Sequence, residues 1–141
     1  MTRPIRLALL ILMLALLAGY LLWPAPRNEP ASGAPRALAE VTLPATFSET
    51  ARMGQVAFEA NCIACHGPNA SGLDGLGPPL IHKIYEPSHH GDESFQIAVA
   101  QGVRQHHWSF GNMPAVDGLT RADVAAIVAY IREIQRANGI N

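Results

Sequence analysis

The apolar pattern of the 141-residue chain changes character twice. It begins with an unbroken run: no charged residue occurs from Leu7 to Pro26, and IRLALLILMLALLAGYLLW approaches the ~20 apolar residues that a helix needs to cross a bilayer. Residues 1–23 therefore read as a transmembrane anchor or signal-anchor that meets the membrane through residues 5–23. Arg3 and Arg6 precede the run and Arg27 lies beyond it, a small excess that favours a cytoplasmic N-terminus. A cleavable secretory signal is the competing reading. Its apolar core runs only ~7–15 residues before a small-residue cleavage site, whereas this run ends in Trp23 and two prolines. Either reading exports the rest of the chain.

Between residues 24 and 46 no hydrophobic period is visible, and Pro24, Pro26, Pro30, Pro35 and Pro44 stand among alanines and a few charges. Such a segment favours extended chain and reads as a linker. From residue 47 the period becomes helical. Thr46 and Glu49 stand at capping-box spacing ahead of a helix expected over 48–60, with Phe47, Ala51, Gly54, Val56 and Phe58 apolar or small. Residues 67–91 are too rich in glycine and proline for a long helix or a central strand. Asp92 can cap a short helix over 93–101 that Gly102 closes as a left-handed residue. The clearest element comes last: Thr120 and Asp123 open a helix whose Val124, Ile127, Val128, Ile131 and Ile134 fall on one face, ending near Asn138 and Gly139. No stretch alternates with period two, so the domain at 47–141 is expected to be all-α.

That domain is small for its loops. About 95 residues with about 25 in one Gly/Pro-rich loop make a thin core, and something other than side chains is expected to fill it.

The only two cysteines, Cys62 and Cys65, are followed at once by His66 in NCIACHGPNASG. A disulfide here would close a tiny loop and stabilise little. A thioredoxin-like dithiol belongs after a strand in an α/β fold, and none is expected. Zinc would need two further ligands from His66, His82, His89, His90, His106 or His107, without a second pair at finger spacing; it stays as an alternative. C-x-x-C-H is the attachment signature of c-type haem, in which two thiols add to the haem vinyl groups and the adjacent histidine ligates iron. An exported domain suits that maturation, and one haem c, covalent through Cys62 and Cys65, would supply the missing interior.

Over roughly residues 47–138 the domain resembles the class I cytochromes c, and more narrowly the membrane-anchored bacterial monohaem cytochromes, which HHWSFGNMPAVDGLT is similar to. The resemblance implies a cytochrome c-like domain of three or more helices around one haem. Gly54 and Phe58 match the family's first helix, and Ile127 and Tyr130 stand where the last helix would meet them. GPPL at 77–80 matches Gly-Pro-x-Leu, in which the proline carbonyl accepts the proximal ring N–H; Pro78 would then orient His66. Of four methionines, Met1 starts the chain, Met13 lies in the apolar run and Met53 in the first helix, leaving Met113 in GNMPA to match the family's Met-Pro loop. His66 and Met113 are thus the implied axial ligands of iron. His106 and His107, six or seven residues earlier, could replace Met113. Trp108 could donate to a haem propionate or simply pack. His82, His89, His90, His106 and His107 could hold a second metal such as copper or stand solvated.

A haem with both axial positions filled implies one electron in and one out, with no catalytic residue and no small-molecule substrate. The expectation is a tethered one-electron carrier between membrane or periplasmic respiratory redox proteins, single-pass in the bacterial inner membrane with its haem domain in the periplasm. A haem subunit of a larger oxidase or dehydrogenase, and a ligand-binding haem sensor, are the alternatives. Residues 47–141 carry six basic and nine acidic side chains, net −3, and Lys83 is the one lysine. No nucleic-acid partner is expected, and docking would rest on an apolar patch rather than a lysine ring.

Overall fold

The computed structural model describes residues 3–23 and 35–141. The chain divides into two units, Met1–Ala34 and Pro35–Asn141. In the first, α1 spans Arg3–Leu21, about 28 Å at 1.5 Å per residue. Among the described residues no helix is long and apolar enough to cross a membrane. Arg3 and Arg6 stand in the opening turns of α1, so the uncharged part of that helix begins only at Leu7. The side chains from Ile11 to Leu14, Leu16, Leu17 and Tyr20 to Trp23 are all exposed. The expected linker is cut in two: 24–34 lie outside the described residues, while 35–46 belong to the folded unit. Leu38 and Ala39 donate to the Ser71 carbonyl, Asp74 donates to that of Arg36, and Thr42 exchanges two bonds with the Asn138 side chain. Val41 packs on the core. Proline content announces extended chain, and extended chain can lie on a surface as readily as cross solvent.

The folded unit holds α2 (Glu49–Asn61), the one-turn α3 (Ile63–His66), α4 (Asp92–Gln101) and α5 (Arg121–Ala137), with 3₁₀ turns at Pro68–Ala70 and Lys83–Tyr85. Among the described residues β structure is limited to isolated bridges, as an all-α reading requires. Two caps differ from expectation. Ser48, not Thr46, caps α2 by accepting from Ala51 at 3.1 Å. Asp92 is the first residue of α4 rather than its cap, and Gly91 takes the N-cap position without a side-chain bond. Asp92 is engaged elsewhere, by Arg132. Gly102 does end α4 at positive φ, but ψ 178° puts it in an extended rather than a left-handed helical conformation. Thr120 and Asp123 form the expected reciprocal capping box of α5.

The centre of the fold is the contact of α2 with α5. A Cβ on Gly54 would lie 1.8 Å from the Ala126 carbonyl oxygen, so the two backbones touch and only glycine fits. Beside that point Phe58 and Tyr130 are fully buried with ring centroids 5.7 Å apart, and Phe47 closes on Tyr130 at 5.3 Å. Ala51, Leu80, Ile81, Ile127, Ile131 and Ile134 complete the cluster.

A second anchor comes from a polar pair on α5. Arg132 is 7% exposed and Gln135 fully buried, and both are satisfied. The guanidinium donates to Asp92 Oδ1 (2.9 Å), to the carbonyls of Tyr85 and His90 and to Gln135 Oε1, while Gln135 Nε2 donates to the carbonyls of Leu80 and Tyr85. Phe95 of α4 lies under the same guanidinium, 5.1 Å from its centroid. A long loop with few apolar side chains is thus pinned to a helix through its own carbonyls.

Gly54→Ala is expected to cost roughly 3 kcal/mol or more, since overpacking here strikes backbone that cannot yield; thermal unfolding of the haem-loaded protein measures it. Arg132→Leu should cost a similar amount, roughly 3 kcal/mol, by stranding Gln135 Oε1 and the His90 carbonyl.

Candidate haem site

The two cysteines stand at the junction of α2 and α3. The N–H of Cys62 still bonds to the Phe58 carbonyl at 2.8 Å, and the Cys62 carbonyl then accepts from Cys65 (3.2 Å) and His66 (2.9 Å). One helical turn therefore separates the two thiols and delivers the His66 ring at its end. Both thiols are free, Cys62 partly buried and Cys65 exposed. Burial, helped by the neighbouring Cys65, pushes the Cys62 thiol up to about 11, which keeps it protonated at neutral pH.

Past His66 the chain folds back. Gly67 takes φ +70°, and a Cβ there would meet the Gly72 carbonyl oxygen at 2.7 Å. Gly72 donates to the His66 carbonyl, and Leu73 and Gly77 close a tight turn. Gly77 then passes so close to the cysteine turn that its Cβ would sit 2.6 Å from the Cys65 carbonyl oxygen. That approach brings the Pro78 carbonyl to 2.9 Å from His66 Nδ1. A carbonyl only accepts, so Nδ1 carries the proton and Nε2 keeps its lone pair. Burial holds the imidazole below its usual range against the opposing pull of the Pro78 carbonyl, which favours the neutral ligand form.

Met113 lies on a second loop, partly buried. Val103 and Met113 exchange both backbone bonds, at 2.9 and 3.0 Å, and close residues 103–113 into a small antiparallel loop. Gly102 is required beneath it, since a Cβ would lie 2.6 Å from the Met113 carbonyl oxygen. Within the loop Trp108 stacks on Phe110 at 5.8 Å and meets the edge of His82 at 5.2 Å. The indole N–H of Trp108 is buried without a well-formed hydrogen bond, and the Tyr85 hydroxyl is a close polar neighbour.

The structure therefore brings Cys62, Cys65, His66 and Pro78 into one constellation, with Met113 and Trp108 on a separate loop. Among the described residues it does not gather a zinc set around the cysteines. Among the described residues the one group of three convergent metal-ligating side chains is His89, His90 and His107. Sequence reasoning missed Arg132 and Gln135. A signal was present, for Val128, Arg132 and Gln135 succeed one another at steps of four and three along the edge of the apolar face of α5.

The family model for cytochrome c matches residues 51–135. The chain belongs to the cytochrome c family. Over 88 residues it is 30% identical to the cbb3-type cytochrome c oxidase subunit CcoP of Rhodobacter capsulatus, a match covering 60% of this chain and 29% of that protein. No solved structure matches. As a member of the family this cytochrome carries a covalently bound c-type haem, and its chemistry is haem-based electron transfer. Its own residues fit such a group: two free thiols one turn apart, a neutral imidazole with Nε2 available, and a buried indole N–H that lacks the acceptor a propionate would supply.

Gly77→Ala is expected to reduce haem incorporation severalfold, because relieving a 2.6 Å contact with the Cys65 carbonyl must shift the Pro78 carbonyl away from His66. The ratio of haem absorbance to protein in purified material measures it.

Proposed function

We propose that this cytochrome is a membrane-tethered one-electron carrier whose haem is bound through Cys62 and Cys65 and ligated by His66 and Met113. The observation that carries the reading is the bond from His66 Nδ1 to the Pro78 carbonyl, which leaves Nε2 as the free donor of a ring fixed beside both thiols. Met113 is the proposed sixth ligand because its loop is closed by the Val103 bridge and seated on Gly102. A thioether in that position raises the reduction potential and leaves iron no open site, so the protein has electrons to pass and no substrate to bind. Trp108 is the proposed propionate donor.

The tether is α1 and the residues that follow it to Trp23. A helix apolar on every side needs a protein core or a lipid phase around it, and the described side chains from Ile11 to Trp23 are exposed. The proposed anchor is the whole apolar run at residues 5–23, which extends past the end of α1; Tyr20 and Trp23 at one end and Arg3 and Arg6 at the other suit the two interfaces of the inner membrane, with the haem domain on the periplasmic side.

A second reading has its own support. The relative CcoP is by its name an oxidase subunit, and the same residues in a docked subunit would pass electrons within a respiratory complex rather than between complexes. Mild detergent extraction separates the two: a carrier migrates alone, a subunit with its oxidase.

Met113→Ala should keep haem attached yet abolish the far-red sulfur-to-iron absorption band, lower the reduction potential and open the ferrous form to carbon monoxide. An unchanged band would end the assignment of Met113. Removal of residues 1–23 behind a cleavable export signal should move the haem protein from the membrane to the soluble periplasmic fraction.

A further inference from the structure

We propose that His89, His90 and His107 form a divalent transition-metal site, built from residues other than those assigned to the haem, that takes Cu(II) most tightly. Their ligand nitrogens all lie within 4.8 Å of one another. Around one ion at ~2.0 Å per bond, nitrogens stand about 2.8 Å apart at adjacent tetragonal positions, as Cu(II) prefers, or about 3.4 Å apart in a tetrahedron, so ring rotations must draw the set inward.

The three rings come from two loops, each fixed independently. His89 and His90 sit in the turn after the Lys83–Tyr85 3₁₀ segment, where both of their N–H groups donate to the Glu86 carbonyl at 3.0 and 2.8 Å. Arg132 holds that turn to α5 through the carbonyls of Tyr85 and His90. His90 Nδ1 donates to the Ile84 carbonyl at 2.6 Å, which fixes the ring's tautomer and leaves Nε2 as its metal-facing donor. His107 comes from the loop closed by Val103 and Met113, which is stiffened by bonds from Gln105 N–H to Asn112 Oδ1 and from Gly111 N–H to Gln105 Oε1. The centroid of the His107 ring stands 5.4 Å from those of both His89 and His90. His106 adds a fourth imidazole at 4.2 Å from His107, its own Nδ1 bonded to the Arg104 carbonyl.

The chemistry of the cluster argues against ordinary solvated surface histidines. None of the four rings has a carboxylate partner among the described ion pairs. Imidazoles gathered this closely offer several nitrogen donors to one cation. Such a set suits Cu(II), Ni(II) and Zn(II), and Cu(II) leads that order in affinity. Water would complete the coordination on the exposed side. A bound ion would join the loop that carries Trp108 and Met113 to the turn that Arg132 anchors.

The test uses the full, haem-loaded chain in detergent with its iron oxidised, titrated with Cu(II) and separately with Zn(II) by calorimetry, and with Cu(II) by electron paramagnetic resonance. One equivalent of Cu(II) should bind, with hyperfine splitting from several nitrogens, and Zn(II) should compete for it. His89→Asn and His107→Asn should each weaken Cu(II) binding by more than about a hundredfold, beyond the ~10–100-fold that losing an outer-shell partner costs, while His82→Asn leaves it unchanged. If His107→Asn disturbs its loop, the altered haem spectrum will show it, and His89→Asn on the exposed turn then decides. Equal Cu(II) binding by the wild type and the His89→Asn/His107→Asn double variant, or copper signals without multiple nitrogen couplings, would overturn the site.

Discussion

Everything in the folded unit is referred to one close contact, the backbone of Gly54 against the carbonyl of Ala126. Because no side chain separates α2 from α5 there, the crossing has almost no freedom to slide. Phe58 and Tyr130 then lock beside it with neither ring exposed. The turn of Cys62 to His66 grows directly from the end of α2, so the placement of the haem-binding sequence is inherited from a helix contact two turns away. A fold with so few core side chains needs such rigid points, and it has them where glycine permits backbone to touch backbone.

The long loop after His66 shows the complementary strategy. It cannot form a helix, and it buries little apolar surface beyond Ala70, Leu80 and Ile81. Its position is set instead by hydrogen bonds between its carbonyls and groups elsewhere: Pro78 to His66, Leu80 and Tyr85 to Gln135, Tyr85 and His90 to Arg132. A buried arginine is costly to desolvate, and here its donors meet a carboxylate, two carbonyls and an amide oxygen. The same guanidinium thereby serves both the general wrap of the loop and the local pose of His89 and His90.

Two loops converge on the rim formed by this wrap. One carries Met113 and Trp108 and the other carries the paired histidines, with His82 touching Trp108 and His107 touching His89 and His90. Electron transfer asks for a cofactor whose surroundings move little between oxidation states. Ring contacts hold the two loops to each other, and the proposed metal site would hold them more firmly.

Much of this was open to reading in the residues themselves. The chain's sequence alone determined the all-α class, the helices near 48–60, 93–101 and 120–138, the C-x-x-C-H turn and, through it, the covalent haem, because each rests on local spacing or on adjacent residues. The register of α5 was equally plain, since five apolar positions on one face leave no other orientation. What needed the tertiary structure was every feature made by residues far apart in the chain. Residues 35–46 are no linker because Ser71 and Asn138 bind them. Asp92 caps nothing because Gly91 takes the N-cap position, and Arg132, forty residues on, binds the Asp92 carboxylate from within the first turn. Arg132 and Gln135 look like ordinary surface residues until the loop carbonyls reach them, and three histidines on two loops become a donor set only when the loops meet. Local patterns encode which groups seek partners, and only the folded chain decides which partners are within 3 Å.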